Sequence, residues 1–378
     1  MYKRQVLTGL NDSIDELKLG KEKTAQYKAE MKTAYMSSFL PAYEDIIKAM
    51  DNIDPSKNNA MGLSHMKDGK RYYELAFKDA SGSNKSIEDI KTDLNTLAQK
   101  SLFRIQSVAM NNKQTYDDLT NGKITTKYTD FKSMLKELNG DIKKDFPSVG
   151  NLKYNIAPIG EDIASGGVAA YYNLPAIDST KPNQIRVNMQ KNALKINAMD
   201  TFSTVAHEGI PGHMYQVNYA NQNMKEPWRK TSANFSGYTE GYATYVELYS
   251  LKYLKDIPAE GVKLQQNMTV YQDCIIALAD IGIHYDGWTK NDFRQFLQEN
   301  GLEATSSDGL YIQLQANPTA FIPYYVGYMQ FANLRTKAED ALKDKFNDKD
   351  FHEAILRSGS APFRVVEKNV DAYIKKAK

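Results

Sequence analysis

The segment Ala206-His207-Glu208-Gly209-Ile210-Pro211-Gly212-His213 sets two imidazoles six positions apart, with a carboxylate directly after the first. The chain has only 5 histidines, at positions 65, 207, 213, 284 and 352, so two of them share this stretch. Neutral imidazole is a favoured zinc ligand, and an adjacent carboxylate can act as a general base. The usual arrangement is His-Glu-x-x-His on one helix, where i and i+4 share a face. Six residues at about 100° each turn through about 600°, which leaves the second imidazole about 120° away from the first. A straight helix therefore does not converge them. The intervening residues do not favour a straight helix, because Pro211 lacks an N–H and clashes with the carbonyl of His207, and Gly209 and Gly212 tolerate unusual backbone angles. A two-residue excursion there restores an effective i, i+4 relation. The competing reading is a plain buried or solvent-facing histidine pair.

A third ligand is expected downstream, in Ser236-Gly237-Tyr238-Thr239-Glu240-Gly241-Tyr242-Ala243-Thr244-Tyr245-Val246-Glu247. Glu240 and Glu247 are seven apart and lie on nearly one helix face. Glu240, beside the small residues Gly241 and Ala243, is taken as the ligand, against the alternative of an exposed helix charge. Glu247 is read either as an exposed helix charge or as a partner that orients a histidine. This set calls for one divalent zinc ion per chain, bound by His207, His213 and Glu240.

The elements that must position these residues are mainly helical. Ser86-Ile87-Glu88-Asp89 has the form of a capping box. Behind it Ile87, Ile90, Leu94, Leu97, Ile105 and Val108 fall on one helical stripe. Asp130 is placed to cap a helix with Phe131, Met134, Leu135, Leu138 and Ile142 on one face. Residues 21 to about 53 read as helical, broken near Pro41. Residues 54–70 and 81–86 read as loops. Between 154 and 188 the pattern changes to short strand-like runs at 154–157, 168–172 and 185–188, separated by Pro158, Gly160, Gly166, Gly167, Pro175 and Pro182. The expected architecture is a single domain over 1–378, with a helical part over 1–150 and a catalytic part over 151–378 containing a small sheet. Residues 185–188, ending in Asn188, could form a sheet edge on which a peptide docks, or a plain structural strand. Arg335 could grip a substrate carboxylate bidentately or serve as a structural ion-pair partner. His65 and His352 receive no role.

Composition sets the outer limits. The chain has 378 residues, 48 Lys plus Arg and 46 Asp plus Glu, for a net charge of +2, with 42% hydrophobic residues. That is a globular composition, and it gives no electrostatic case for nucleic acid as a partner. The single cysteine, Cys274, excludes an internal disulfide and a cysteine-based zinc finger. No apolar run reaches the ~18–20 residues of a membrane span. The first residues, MYKRQVLTGLNDSIDELKLGKEK, lack the apolar core of a secretory signal. Either the protein stays inside the cell, or further residues precede this chain. Oligomeric state is unread.

HEGIPGH followed by EGYATYVE resembles a large bacterial family catalogued as domain of unknown function 885. Its members resemble the gluzincin zinc peptidases, including the helical angiotensin-converting-enzyme and thimet-oligopeptidase types. Family members typically carry His-Glu-Gly-x-Pro-Gly-His and then Glu-Gly-Trp-Ala-x-Tyr-x-Glu. Tyr242 stands here for the usual Trp, a change expected to alter packing rather than chemistry. The resemblance extends through Ala170-Tyr171-Tyr172-Asn173-Leu174-Pro175, Asp280-Ile281-Gly282-Ile283-His284-Tyr285-Asp286-Gly287-Trp288, Tyr324-Tyr325-Val326-Gly327 with Leu334-Arg335, Phe351-His352-Glu353 and Gly359-Ser360-Ala361-Pro362. It runs from about residue 10 to the end, and its specific motifs lie after 154.

The resemblance implies a helical zincin-like metallopeptidase fold, with a small sheet beside the metal-binding helix, acting on peptide substrates. By analogy with helical gluzincins that use a late His and Tyr, His284 and Tyr324 are candidates to stabilise an oxyanion, with Glu208 as general base; the competing readings are a hydrogen-bonded histidine at a helix end for His284 and one structural tyrosine among 25 for Tyr324. Full-length relatives are usually longer at the N-terminus, often with an export or lipoprotein signal, which implies a cell-envelope location if such a segment precedes this chain. Two other functions use the same residues: a non-catalytic peptide-binding or envelope protein that keeps the fold, and a zinc hydrolase of a non-peptide amide or ester.

Overall fold

The computed structural model describes residues 2–54, 61–160, 164, 167–190, 193–231, 234–302 and 307–378. The expected turn residue Gly166 and loop residues 55–60 lie outside these. Where the sequence suggests one domain, the chain divides into two compact units, residues 1–60 and 61–378.

The first unit holds α1 (Tyr2–Glu16), α2 (Lys21–Ala34) and α3 (Leu40–Asp51). The break expected near Pro41 is a π turn, Tyr35–Phe39, directly before α3. Pro41 cannot donate to the carbonyl four residues back, and the wider turn takes up that gap.

The second unit is mainly helical and contains a three-stranded sheet. Its first part comprises α4 (Gly69–Ser81), α5 (Ile87–Asn111), α6 (Lys113–Thr120) and α7 (Phe131–Asp141). Strands β1 (Tyr154–Pro158), β2 (Ala170–Asn173) and β3 (Asn183–Val187) follow. Next come α8 (Met199–Glu208), α9 (His213–Asn223), α10 (Pro227–Thr231), α11 (Ser236–Ser250), α12 (Ala259–Ile281), α13 (Lys290–Glu299) and α14 (Ser307–Ala316). The chain ends with α15 (Ile322–Leu342), α16 (Asp348–Leu356) and α17 (Phe363–Ala377). Among the described residues no helix is long and apolar enough to cross a membrane.

Local signals account for the early elements. Ser86 Oγ accepts from the Asp89 N–H at 3.1 Å, and Asp130 Oδ1 from the Ser133 N–H at 2.8 Å, so both expected caps start their helices. The expected loop over 54–70 is partly helical, with a 3-10 turn at Leu63–His65 and α4 starting at Gly69.

The sheet order is β1-β3-β2, with β1 parallel and β2 antiparallel to β3. β3 is therefore the central strand, and the expected docking edge at 185–188 is corrected: both its sides are already paired. β2 is an edge. Asn188 N–H donates to Ala169 C=O at 2.8 Å, so alternate residues Ala170 and Tyr172 direct their backbone groups away from β3.

α11 packs along α15 and against α8. The approach to α15 is backbone to backbone. A Cβ at Gly327 would lie 2.3 Å from Gly237 O and 2.7 Å from the Gly241 Cα. Because backbone cannot rotate aside, Gly327→Ala is expected to lower stability by about 1–3 kcal/mol, read as a lower urea midpoint. An unchanged midpoint would mean that the helices do not meet at these glycines.

Candidate functional site

α8 ends at Glu208 and α9 begins at His213, so the two histidines sit on separate helices flanking a bend. The backbone pattern shows how the bend is made. Gly209 N–H donates to Val205 C=O at 3.0 Å, four residues back. Gly212 N–H then reaches Ala206 C=O at 2.9 Å and Tyr215 N–H reaches Gly209 C=O at 3.1 Å, each six residues back. Gln216 N–H returns to the ordinary step, to Gly212 C=O at 2.8 Å. Two extra residues are thus inserted between the imidazoles. The Ile210–Pro211 peptide is cis. A Cβ at Gly212 would stand 1.9 Å from the His207 carbonyl oxygen, so only glycine fits there. From α11, Tyr242 donates its phenol proton to Pro211 C=O at 3.0 Å and ties that helix to the bend.

The bend and α11 bring three donors together. Ligand atoms of His207, His213 and Glu240 all lie within 4.8 Å of one another. Glu240 Oε2 is 3.2 Å from His213 Nε2 and 3.6 Å from His207 Nε2. Zinc bonds of about 2.0–2.2 Å in a tetrahedron place neighbouring donors about 3.3–3.6 Å apart, so these two edges fit such an ion. Among the described residues Glu240 Oε2 is buried without a hydrogen-bond partner. A buried carboxylate oxygen left this way suits a cation between it and the imidazoles.

Electrostatics point the same way. Glu247 Oε2 lies 2.6 Å from His207 Nδ1, which makes Nδ1–H the donor and leaves Nε2 free to ligate. Burial pushes the His207 pKa down, but Glu240 and Glu247 outweigh it and hold it up at about 10. Burial raises Glu240, and His207 with His213 outweigh that, to about 2. Carboxylates on both sides of one imidazole favour positive charge there, as a proton or as a metal ion. Glu208 is not one of the three converging donors: its Oε2 accepts the Tyr172 N–H of β2 at 2.8 Å. Burial pushes the Glu208 carboxyl above its usual range, despite the opposing charges of His207 and His213.

Tyr324, near the start of α15, stacks on the His207 ring with centroids 6.1 Å apart. Burial raises its phenol, and the charges of Glu240 and Glu208 raise it further. The structure therefore brings together His207, Glu208, His213, Glu240, Glu247 and Tyr324.

It does not bring in His284, Asn188 or Arg335. His284 is buried, its Nδ1 accepts from Leu63 N–H at 3.1 Å, and its Nε2–H donates to Leu314 C=O at 2.9 Å. Both ring nitrogens are committed to backbone, so the oxyanion role is corrected. Asn188 is buried too; its amide donates to Ala164 C=O at 3.0 Å and Val168 C=O at 2.9 Å, and its oxygen accepts from Gln190 N–H at 3.1 Å. Both amide protons are committed to backbone carbonyls and the side chain is buried, so the substrate role is corrected. Arg335 takes the structural alternative, pairing with Asp348 at 2.6 Å and Glu339 at 2.8 Å and donating to Tyr245 Oη at 3.1 Å. Arg335→Met is expected to lower stability by about 1–3 kcal/mol through the stranded partners. Any substrate KM should stay unchanged, and a raised KM at unchanged stability would restore the substrate role. His352 is a buried link between the Tyr245 hydroxyl at 2.9 Å and Asp145 C=O at 2.6 Å, and burial lowers its pKa to about 3. His65 binds Gly287 C=O at 3.0 Å.

Two features escaped the sequence. One is the Tyr172 amide that holds Glu208, because a backbone donor has no residue signature. The other is the contact of Gly237 and Gly241 with Gly327. Gly241, one of the small residues beside Glu240, serves the approach of α15. The Gly237-x-x-x-Gly241 spacing was the available signal.

Residues 3–370 match the model of a family described as bacterial protein of unknown function, DUF885. No curated protein matches the sequence. Among solved structures, the chain is similar to a candidate lipoprotein from Colwellia psychrerythraea, with a TM-score of 0.81 and 19% identity, over 98% of this chain and 66% of that one. It is also similar to a candidate lipoprotein of unknown function from Shewanella oneidensis, with a TM-score of 0.62 and 17% identity, over 95% of this chain and 69% of that one. At these identities the likeness is one of fold. The chain thus spans slightly less than two thirds of the Colwellia protein's length.

Proposed function

The chain belongs to the bacterial DUF885 family, and from its site we propose that it is a zinc-dependent hydrolase of peptide bonds with a helical, gluzincin-like arrangement. The observation that carries this reading is the meeting of His207, His213 and Glu240 around one point, with Glu208, the last residue of α8, held beside them by the Tyr172 N–H of the edge strand. His207, His213 and Glu240 would hold zinc, which when bound supplies a Lewis acid and acidifies water enough for attack near neutral pH. Glu208, raised by burial, takes a proton from the attacking water and passes it to the leaving amine. Glu247 keeps the His207 ring oriented through Nδ1. Tyr324, over the His207 ring, is placed to donate to the developing oxyanion.

The free side of β2 favours a peptide over a smaller amide or ester. The Ala170 N–H and C=O and the Tyr172 C=O point outward with no partner among the described residues, and an extended backbone pairs with such groups. The test is digestion of a mixed peptide library by zinc-loaded protein, read by mass spectrometry, with and without 1,10-phenanthroline. Cleavage that the chelator stops is expected. Bound zinc without cleavage would instead favour a non-catalytic peptide binder.

A further inference from the structure

The segment Asp280-Ile281-Gly282-Ile283-His284 takes no part in the proposed chemistry, yet its two polar residues are fully buried. They sit at the end of α12 and in the π turn Gly282–Asp286 that extends it. Each grips one end of the turn between α14 and α15. His284 Nε2–H donates to Leu314 C=O at 2.9 Å, near the end of α14. Asp280 accepts the Thr319 N–H, at 3.1 Å to Oδ2 and 3.3 Å to Oδ1, and the Tyr73 phenol proton at 2.5 Å to Oδ1.

Thr319 is held at φ +66°, a left-handed conformation that a β-branched residue adopts only when its surroundings impose it. Ile322 N–H closes on Thr319 C=O at 3.1 Å, so this residue sets where α15 begins. Tyr324, whose ring lies on His207, is the third residue of α15. Burial pushes the Asp280 carboxyl up to about 7, and the Tyr73 and Thr319 donors oppose that rise. Tyr73 and Thr319 thus converge on one buried carboxyl, Tyr73 on Oδ1 and Thr319 on both oxygens.

We propose that the Tyr73–Asp280–Thr319 hydrogen bonds form a clamp that fixes the start of α15 and so positions Tyr324 against His207. Asp280 and Tyr73 are positioning residues and touch no substrate. The catalytic consequence rests on the hydrolase reading above, whereas the structural claim stands without it.

The experiment therefore has two readouts. One is peptide hydrolysis by zinc-loaded protein. The other is the fluorine resonance of Tyr324 in 3-fluorotyrosine-labelled protein, identified by its loss in Tyr324→Phe. Tyr73→Phe keeps the ring and removes the donor. It is expected to displace the Tyr324 resonance and lower kcat about tenfold, with KM and zinc content unchanged. Adding Thr319→Gly is expected to restore both, because glycine takes positive φ without the clamp. A purely structural Tyr73 would not be rescued at that distant position. An unmoved Tyr324 resonance in Tyr73→Phe overturns the clamp whatever the activity does. If wild type cleaves nothing, the hydrolase reading fails and the resonance still decides the clamp. Should Tyr73→Phe not fold, Asp280→Asn, which keeps the shape and withdraws the charge, is read in the same way.

Discussion

Glu208→Gln is expected to lower kcat for peptide hydrolysis by about 10²–10⁴-fold, the usual contribution of a positioned general base. Glutamine keeps the size of the side chain and an oxygen that can still accept the Tyr172 N–H, which lies 2.8 Å from the native carboxylate. What it loses is the ability to take a proton and return it to the leaving amine. Because Glu208 is not among the three converging donors, zinc content should match wild type. KM should change little. Steady-state kinetics on a cleaved peptide, with metal analysis of the same sample, check this. A variant that retains wild-type kcat would remove Glu208 from the chemistry.

Glu247→Ala is expected to weaken zinc binding about 10–100-fold, the usual effect of removing a partner behind a ligating histidine. The 2.6 Å contact with Nδ1 fixes both the tautomer and the ring orientation of His207. Without it the imidazole can rotate, and its Nε2 lone pair loses its aim. Glu247→Gln keeps an acceptor without the charge and should fall between wild type and Glu247→Ala. Competition with a chromophoric chelator gives all three affinities. Equal affinities would make Glu247 a bystander.

The legible parts of the sequence were those set by neighbours along the chain. Ser86 and Asp130 each cap a helix through an amide three residues on, a purely local bond. The insertion between His207 and His213 could be read because the spacing and the residues that allow it lie in one string. Seven-residue spacing put Glu240 and Glu247 on one face of α11. What the sequence hid was the order of distant segments. Three strand-like runs are visible, but nothing in them says that β3 is central, so residues 185–188 read equally as a docking edge or a plain strand, and only the sheet order decides for the strand. His284 reads as a catalytic candidate or as a hydrogen-bonded histidine, because a buried histidine that serves two backbone groups has the same letter as one that faces substrate. Its partners, Leu63 and Leu314, lie 221 and 30 residues away along the chain. Arg335 shows the same ambiguity, since its guanidinium suits a substrate carboxylate as well as Asp348 and Glu339.

Metal analysis of protein purified without added metal, by inductively coupled plasma mass spectrometry, tests the central claim most directly when wild type, Glu208→Gln and His213→Ala are measured side by side. About one zinc per chain is expected in wild type and Glu208→Gln, and little in His213→Ala. Equal zinc in wild type and His213→Ala, or none in any of them after exposure to zinc, would contradict that claim.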